Sequence, residues 1–439
     1  MNTALYQQPG AATELGWDIG GPLLLIVVLL VLGLPMWVSM GIGVIVLLLI
    51  TEVLPVALLG ESLFEGIDAF ALIAVPLFIL TGDVLVRTGL SKRLLDIADA
   101  TTGGLRSGFG SATVLGCGFF SCISGSDAAG CAALGRMTID RLVASGYPRP
   151  YAAALVASGS CTGILIPPSI AYIVIGLILG ISASTLFVAA IIPGVLVLLA
   201  IMATNIVVNR MAGYENSAKS FSLNHWAKTV WQGRYALLVP VIILGGIYSG
   251  VFTPTEAAAV AVVTTIAIGL LQQTLSVADF PDMLLSSAKV NGVILPTVAL
   301  SLPLAEALGA LSVPQYLIEQ ALALTSNTTI IILMMVAVLI VAGCVMEAVP
   351  NIVLIAPVLL PLAREIGMDD IHFCIMMVTC LGIGFITPPI GLNLFVISGV
   401  TGEPILKVAR YAAPFVFSML AVALLLAFVP ELSLVLLDR

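Results

Sequence analysis

Between Pro150 and Asn209 the chain runs for 60 residues without an Asp, Glu, Lys or Arg. A helix needs roughly 20 apolar residues to cross a bilayer, so this run holds more than one crossing. Pro22 to Ile50, Gln320 to Met346, Ile371 to Gly402 and Tyr411 to Pro430 are equally free of charge. None alternates polar and apolar residues as the strands of a membrane β-barrel do. Only 9% of the chain is charged, against about a quarter of a soluble domain. The sequence therefore reads as an all-α polytopic membrane protein in a lipid bilayer.

The few Lys and Arg lie between the apolar runs and form no basic patch, which excludes nucleic acid as a partner. Nothing basic precedes the first apolar segment, so no cleavable signal peptide is expected. The seven cysteines, at 117, 122, 131, 161, 344, 374 and 380, all sit in apolar stretches and form no C-x-x-C pair. They read as small buried residues. His225 and His372 are far apart and lack ligand spacing, so no zinc or copper site is expected.

An internal repeat emerges when the chain is laid over itself with an offset of 221. Leu90-Ser91 falls on Leu311-Ser312, Gly146 on Gly367, and Gly163-x-x-x-Pro167-Pro168 on Gly384-x-x-x-Pro388-Pro389. The charges then separate the copies. Arg87, Lys92, Arg93 and Arg106 have no basic image in 308–327; Arg136, Arg141 and Arg149 have only Arg364 in 357–370. Short basic loops stay cytoplasmic, so the two copies are expected in opposite orientations. This is the inverted-repeat plan of many secondary transporters. Arg364 runs against this topology. The linker 210–234, with Arg210, Lys219, Lys228 and Arg234, is expected in the cytoplasm, as are Lys407 and Arg410. Both termini then fall in the periplasm.

The expected organisation is an N-terminal segment 1–21, a first repeat 22–209, the linker 210–234 and a second repeat 235–432. Segments 51–70 and 272–289 mix charged and apolar residues and are expected to lie along the interface as amphipathic arms. Each repeat carries two interruptions. The first member of each pair is expected at the tip of a re-entrant hairpin, about 107–136 and 331–363: SGSDAAG (124–130) and CVMEAVPN (344–351). The second is expected as an unwound stretch in a crossing helix, at 158–169 and 382–393: SGSCTGILIPPS and GIGFITPPIGLN.

Interruptions at membrane depth survive only where they are buried in protein or line a polar cavity. Their helix N-termini favour anions and their terminal carbonyls favour cations. Ser124, Ser126, Thr162 and Thr387 offer hydroxyls, Asn351 and Asn393 amides, and Asp127 and Glu347 carboxylates. Such oxygen donors suit a hard cation such as sodium. The bland alternative is that the glycines and prolines only pack or kink helices. The recurrence of Pro-Pro at 167–168 and 388–389 favours the functional reading.

At these motifs the sequence resembles the large membrane subunit of tripartite ATP-independent periplasmic (TRAP) transporters. The resemblance rests on ITPPIGLNLFVISGVTG (386–402), SGSDAAG (124–130), GYPRPYAAALVASGSCTGILIPPSIAYIVIG (146–176), GGIYSGVFTPTEAAAVAV (245–262) and PVLLPLAREIGMDDIHFCIMM (357–377). It implies a scaffold plus a moving transport domain with elevator-type alternating access in the bacterial or archaeal inner membrane. Sodium is the implied coupling ion, with no other cofactor and no enzymatic activity. The implied partners are a separate small membrane subunit of about four helices and a periplasmic substrate-binding protein. The solute is then an organic acid such as a C4-dicarboxylate, 2-oxoacid or sugar acid.

By position, the resemblance makes Ser124, Gly125 and Ser126, with Gly384, Thr387, Pro388 and Asn393, the ion and substrate loops. Ser160, Thr162, Pro167 and Ser169 form the first copy's break. Asp127, Pro168, Glu347, Asn351, Pro389 and Gly391 complete the expected site, and sodium is expected at Ser124, Ser126, Gly384 and Thr387. Asp127 departs from the pattern, since that position is commonly small and neutral in the family.

Three rival classes remain at this point. A sodium- or proton-coupled carrier working without a binding protein has the same repeats. A passive channel is open as well. An intramembrane serine protease using Ser124 or Ser126 lacks a base within reach.

Overall fold

A backbone in lipid must satisfy its own hydrogen bonds, and helices do so segment by segment. The computed structural model describes residues 16–55, 58–105, 107–215 and 221–437. Most of the expected N-terminal segment, together with Arg106 and Lys219, lies outside the described residues.

The first half holds α1 (Trp17–Val31), α2 (Met36–Thr51), α3 (Leu58–Ile67), α4 (Ala74–Arg87), α5 (Leu90–Thr102), α6 (Gly108–Ser124) and α7 (Asp127–Ala144). It continues with α8 (Arg149–Ser160), α9 (Ile170–Leu179), α10 (Ala183–Ala189) and α11 (Ile191–Ala212). A linker helix, α12 (Leu223–Gln232), leads to α13 (Arg234–Tyr248), α14 (Pro254–Leu271), α15 (Phe280–Ala310) and α16 (Val313–Leu324). Then come α17 (Thr328–Val345), α18 (Ala348–Glu365), α19 (Asp370–Gly384), α20 (Leu392–Thr401), α21 (Ile405–Phe428) and α22 (Glu431–Leu434). Moved by 221, α7 takes the bounds of α18, and α6 ends where α17 ends.

Among the described residues, seven helices are long and apolar enough to cross a membrane, and α12 with α13, bent by 71°, reaches that length and apolarity only as a pair. The shorter helices include the halves of the broken ones. Large apolar side chains face outward, such as Leu271 and Val241 at 84% and 64% exposure. In water such a surface would drive association, but against lipid tails it is the expected one.

Packing sorts the helices into two groups. In the outer group α1 packs on α2, α15 on α2, α3 and α4, and α14 on α4 and α13. In the inner group α8 contacts α6, α7, α20 and α21, while α19 contacts α17, α18 and α21. The two groups meet where α4 and α5 touch α6 and where α15 and α16 touch α18.

The two segments expected as arms differ from each other. Residues 51–70, of which 56 and 57 lie outside the described residues, yield the separate short helix α3. Residues 272–289 run through a turn directly into the 31-residue α15. The first helix ends at Ile67, before Asp68, whereas the image of Asp68, Lys289, lies inside α15. The structure adds α5, which buries Leu90, Leu94, Leu95 and Ile97 and turns Lys92 and Arg93 outward. Trp226 of α12 is tied to it by Nε1 donating to Thr101 Oγ1 at 3.1 Å.

Arg364, the basic residue that ran against the charge pattern, is not a free charge. Its guanidinium donates twice to Asp370, at 2.8 and 2.7 Å. A bidentate pair of this kind weakens Arg364 as a signal of orientation.

Candidate functional site

In the first half, α6 stops at Ser124 because Gly125 turns left-handed at φ +61. Ser126 then caps α7, its Oγ accepting from Ala129 N at 3.4 Å. This tip lies on the break of the neighbouring helix. There α8 ends at Ser160, a 3-10 turn covers Cys161–Gly163, and the chain passes the cis pair Pro167-Pro168 before α9 starts. Ile170 N donates to Gly125 O at 3.3 Å. The contact requires glycine on both sides. A Cβ on Gly125 would sit 2.9 Å from Pro168 O, and one on Gly163 would sit 2.7 Å from Asp127 N.

Side chains replace the backbone hydrogen bonds that the break gives up. Ser169 Oγ donates to Ile164 O at 2.8 Å, and Thr162 Oγ1 donates to Gly159 O at 2.7 Å. Thr162 Oγ1 also lies 3.1 Å from Ser121 Oγ, and Ser160 Oγ lies 3.8 Å from Cys117 Sγ. Ser124 Oγ donates to Ser126 O at 3.4 Å.

The second half repeats the contact with other residues. Gly384 lies on Gly343: a Cβ there would be 2.7 Å from Cys344 N and closer still to the Gly343 carbonyl carbon. Past the cis pair Pro388-Pro389, Ile390 N and Gly391 N both donate to Cys344 O, at 3.2 and 3.0 Å. Thr387 Oγ1 donates to Ile383 O at 2.8 Å. Glu347 opens α18, and Asn351 Nδ2 braces the tip by donating to Met346 O at 2.9 Å and Glu347 O at 3.0 Å.

Asn393 joins the halves. From α20 its Nδ2 donates to Ala157 O of α8 at 3.3 Å and contacts Cys161 Sγ at 3.5 Å. Cys131 Sγ of α7 donates to Asn393 O at 3.5 Å. The structure thus brings Ser124, Gly125, Ser126 and Asp127 against the first break, which holds Pro167, Pro168 and Ser169. It brings Gly384 and Gly391 against Gly343 and Cys344. Ser126 lies against Gly163 of its own half's break, and no hydrogen bond from Ser124 or Ser126 to Gly384 or Thr387 is present among the described residues.

Besides Ser158 Oγ at the start of the first break, the buried side-chain oxygens without a hydrogen-bond partner here include Asp127 Oδ2, Asn351 Oδ1 and Asn393 Oδ1. The last three residues are 3%, 0% and 0% exposed. Buried acceptors are nearly always satisfied, so each marks a place for water, a cation or a donor on a solute. The described residues contain no group of three or more His, Cys, Asp or Glu side chains able to hold a metal ion. A cation here would be held by carbonyl, hydroxyl and amide oxygens instead, as a hard ion is. All seven cysteines are free thiols. The halves also differ in access. Pro167 and Pro168 are buried, whereas Pro388, Pro389 and Ile390 are exposed.

Gly343, Cys131 and Cys161 also belong to this constellation. Nothing in their spacing singled them out, because their partners come from the opposite half of the chain or from a helix crossing.

The family model for the tripartite ATP-independent periplasmic transporter DctM component matches residues 23–432. The isethionate TRAP transporter permease protein DctMQ of Oleidesulfovibrio alaskensis is 36% identical over 92% of this chain, which spans 64% of that relative. The C4-dicarboxylate TRAP transporter large permease protein DctM of Pseudomonas aeruginosa is 38% identical over 86% of this chain and 88% of its own length. In fold, the chain is similar to the YdaH transporter of Alcanivorax borkumensis, with a TM-score of 0.62 over 86% of this chain and 89% of that one, at 14% identity.

Proposed function

The chain belongs to the tripartite ATP-independent periplasmic transporter family as a DctM component, and from that premise we propose that it moves an organic acid inward on a sodium gradient. The observation that carries the ion part is the set of partnerless buried oxygens on Asp127, Asn351 and Asn393. An unsatisfied buried acceptor costs about 1–3 kcal/mol, and a bound cation removes that cost. Sodium is assigned to the two tip-and-break loops, with Ser124 and Ser126 in one and Gly384 and Thr387 in the other.

The solute is an organic anion, by analogy with the isethionate and C4-dicarboxylate permeases among the relatives. The breaks hold no Lys or Arg. The N-terminal ends of α9 and α20 are the anion-attracting elements, as helix N-termini are in general. The inner helices are assigned as the moving part of an elevator and the outer helices as its scaffold, in keeping with the two packing groups. A small membrane subunit and a periplasmic binding protein complete the system, with the linker around α12 in the cytoplasm and both termini outside.

The test is uptake of radiolabelled C4-dicarboxylates, 2-oxoacids, sugar acids and isethionate into proteoliposomes holding this chain and its small subunit. The expected result is accumulation that requires both an imposed sodium gradient and the cognate binding protein. Accumulation without the binding protein would replace this reading with a self-sufficient carrier, and accumulation with no gradient dependence would replace it with a channel.

A further inference from the structure

Resting on the transporter reading above, we propose that Glu215 is a positioning residue: it clamps the root of the first hairpin, so that hairpin stays shut and the second one moves. Glu215 follows α11 in the linker and is 5% exposed. Its Oε1 accepts from Phe109 N at 3.1 Å, and its Oε2 accepts from Gly110 N at 3.5 Å and from Tyr147 Oη at 3.0 Å. Phe109 and Gly110 begin the descending arm α6, and Tyr147 follows the returning arm α7. One carboxylate therefore joins both ends of the hairpin, where a helix N-terminus also favours its charge.

The clamp is itself held. Glu215 N donates to Asn209 Oδ1 at 2.8 Å, and Asn209 Nδ2 donates back to Glu215 O at 3.0 Å. Tyr147 stacks on Tyr151 with ring centroids 5.6 Å apart and planes 7° off parallel. Gly110 leaves the room this needs: a Cβ there would lie 2.5 Å from Tyr147 Oη.

The images of these clamp residues in the second half cannot build the same clamp. At the offset of 221, the images of Asn209, Glu215 and Tyr147 are Pro430, Leu436 and Met368, none with a side chain able to hydrogen-bond in this way. Its descending arm is capped locally, with Asn327 Oδ1 accepting from Thr329 N at 2.9 Å. Its returning arm α18 contains Pro357 and Pro361, each of which removes a helical hydrogen bond, while α7 contains no proline. Its break is exposed at Pro388 and Pro389 where the first is buried. The Ser124–Asp127 loop is thus prebuilt, and opening falls to the tip at Met346–Asn351.

The test is hydrogen–deuterium exchange of the full chain in nanodiscs, in sodium and in choline. We expect peptides over 346–351 to slow by about tenfold in sodium while those over 125–130 stay protected in both. Glu215→Ala should speed exchange across 109–130 by about tenfold without changing 346–351, and Glu215→Gln, which keeps one of the two acceptor oxygens, should restore part of the protection. Tyr147→Phe should loosen only the start of α8 and the end of α7, and it tests the clamp if Glu215→Ala fails to fold. Unchanged exchange over 109–130 in Glu215→Ala, or unchanged exchange at the end of α7 and the start of α8 in Tyr147→Phe, overturns the clamp. A first tip that responds to sodium as strongly as the second overturns the assignment of movement. Sodium silence at both tips refutes the sodium reading and the division of movement with it, while the variant results decide the clamp on their own.

Discussion

Gly384→Ala is expected to lower uptake by about 100-fold, because a displacement on the order of 1 Å at a preorganised site costs that much. The added methyl would stand 2.7 Å from Cys344 N and closer to the Gly343 carbonyl carbon. Both obstacles are backbone, so no side-chain rotamer relieves them. The only escape is to part α17 from α19, which pulls Cys344 O away from Ile390 N and Gly391 N and dismantles the second loop. Alanine gains about 0.5–1 kcal/mol of helix propensity over glycine, but overpacking a tight contact costs about 1–3 kcal/mol. The balance is a less stable protein as well as an inactive one. Gly399→Ala is the control: it lies in α20 with nothing within 4 Å of the added carbon. Sodium-driven uptake and a thermal melt of both variants check this. Near-normal uptake by Gly384→Ala would mean that the tip-and-break contact is not part of the transport path.

How much of this arrangement the sequence discloses depends on how local the cause is. Pro167-Pro168 and Pro388-Pro389 act on their own backbone, so the breaks stand out at their recorded positions, and the same offset carries from those pairs to the bounds of α7 and α18. Segments 51–70 and 272–289 share the mixed composition of interfacial arms, yet the first ends as α3 at Ile67 and the second runs on into α15. Contacts across the chain are different. Asn393 was conspicuous as an amide in an apolar run, but its partner is the carbonyl of Ala157, and a carbonyl leaves no mark in the residue code. Gly343 reads as one more small residue until Gly384 is laid against it. Glu215 does leave a mark in the sequence: it is the lone acid in the linker 210–234, which otherwise carries only basic charges. An acid kept among cations in a short loop invites the question of what it accepts from.

Asp127→Asn is expected to raise the sodium concentration for half-maximal uptake by about 10- to 100-fold, equivalent to about 1.4–2.8 kcal/mol of lost ion binding. Asp127 is 3% exposed and its Oδ2 has no partner. Burying an ionised carboxylate costs several kcal/mol. Its place in the first turn of α7 recovers about 0.3–1 kcal/mol, up to about 2 in a partly buried site. The helix start alone does not close that gap, and no Lys or Arg lies in the breaks to do so. On the proposed sodium reading, an ion in the Ser124–Ser126 loop closes it. Asparagine keeps the shape and removes the charge, so two changes of opposite sign follow. Without sodium the variant should melt higher than the parent, because an uncompensated buried charge is gone. With sodium it should gain less, because stabilisation by a ligand scales with the logarithm of its concentration over its dissociation constant. Uptake at saturating sodium should be largely retained, which separates a weakened ion site from a broken fold. Sodium dependence and sodium-induced stabilisation equal to the parent's would show that the Asp127 charge takes no part in holding the ion.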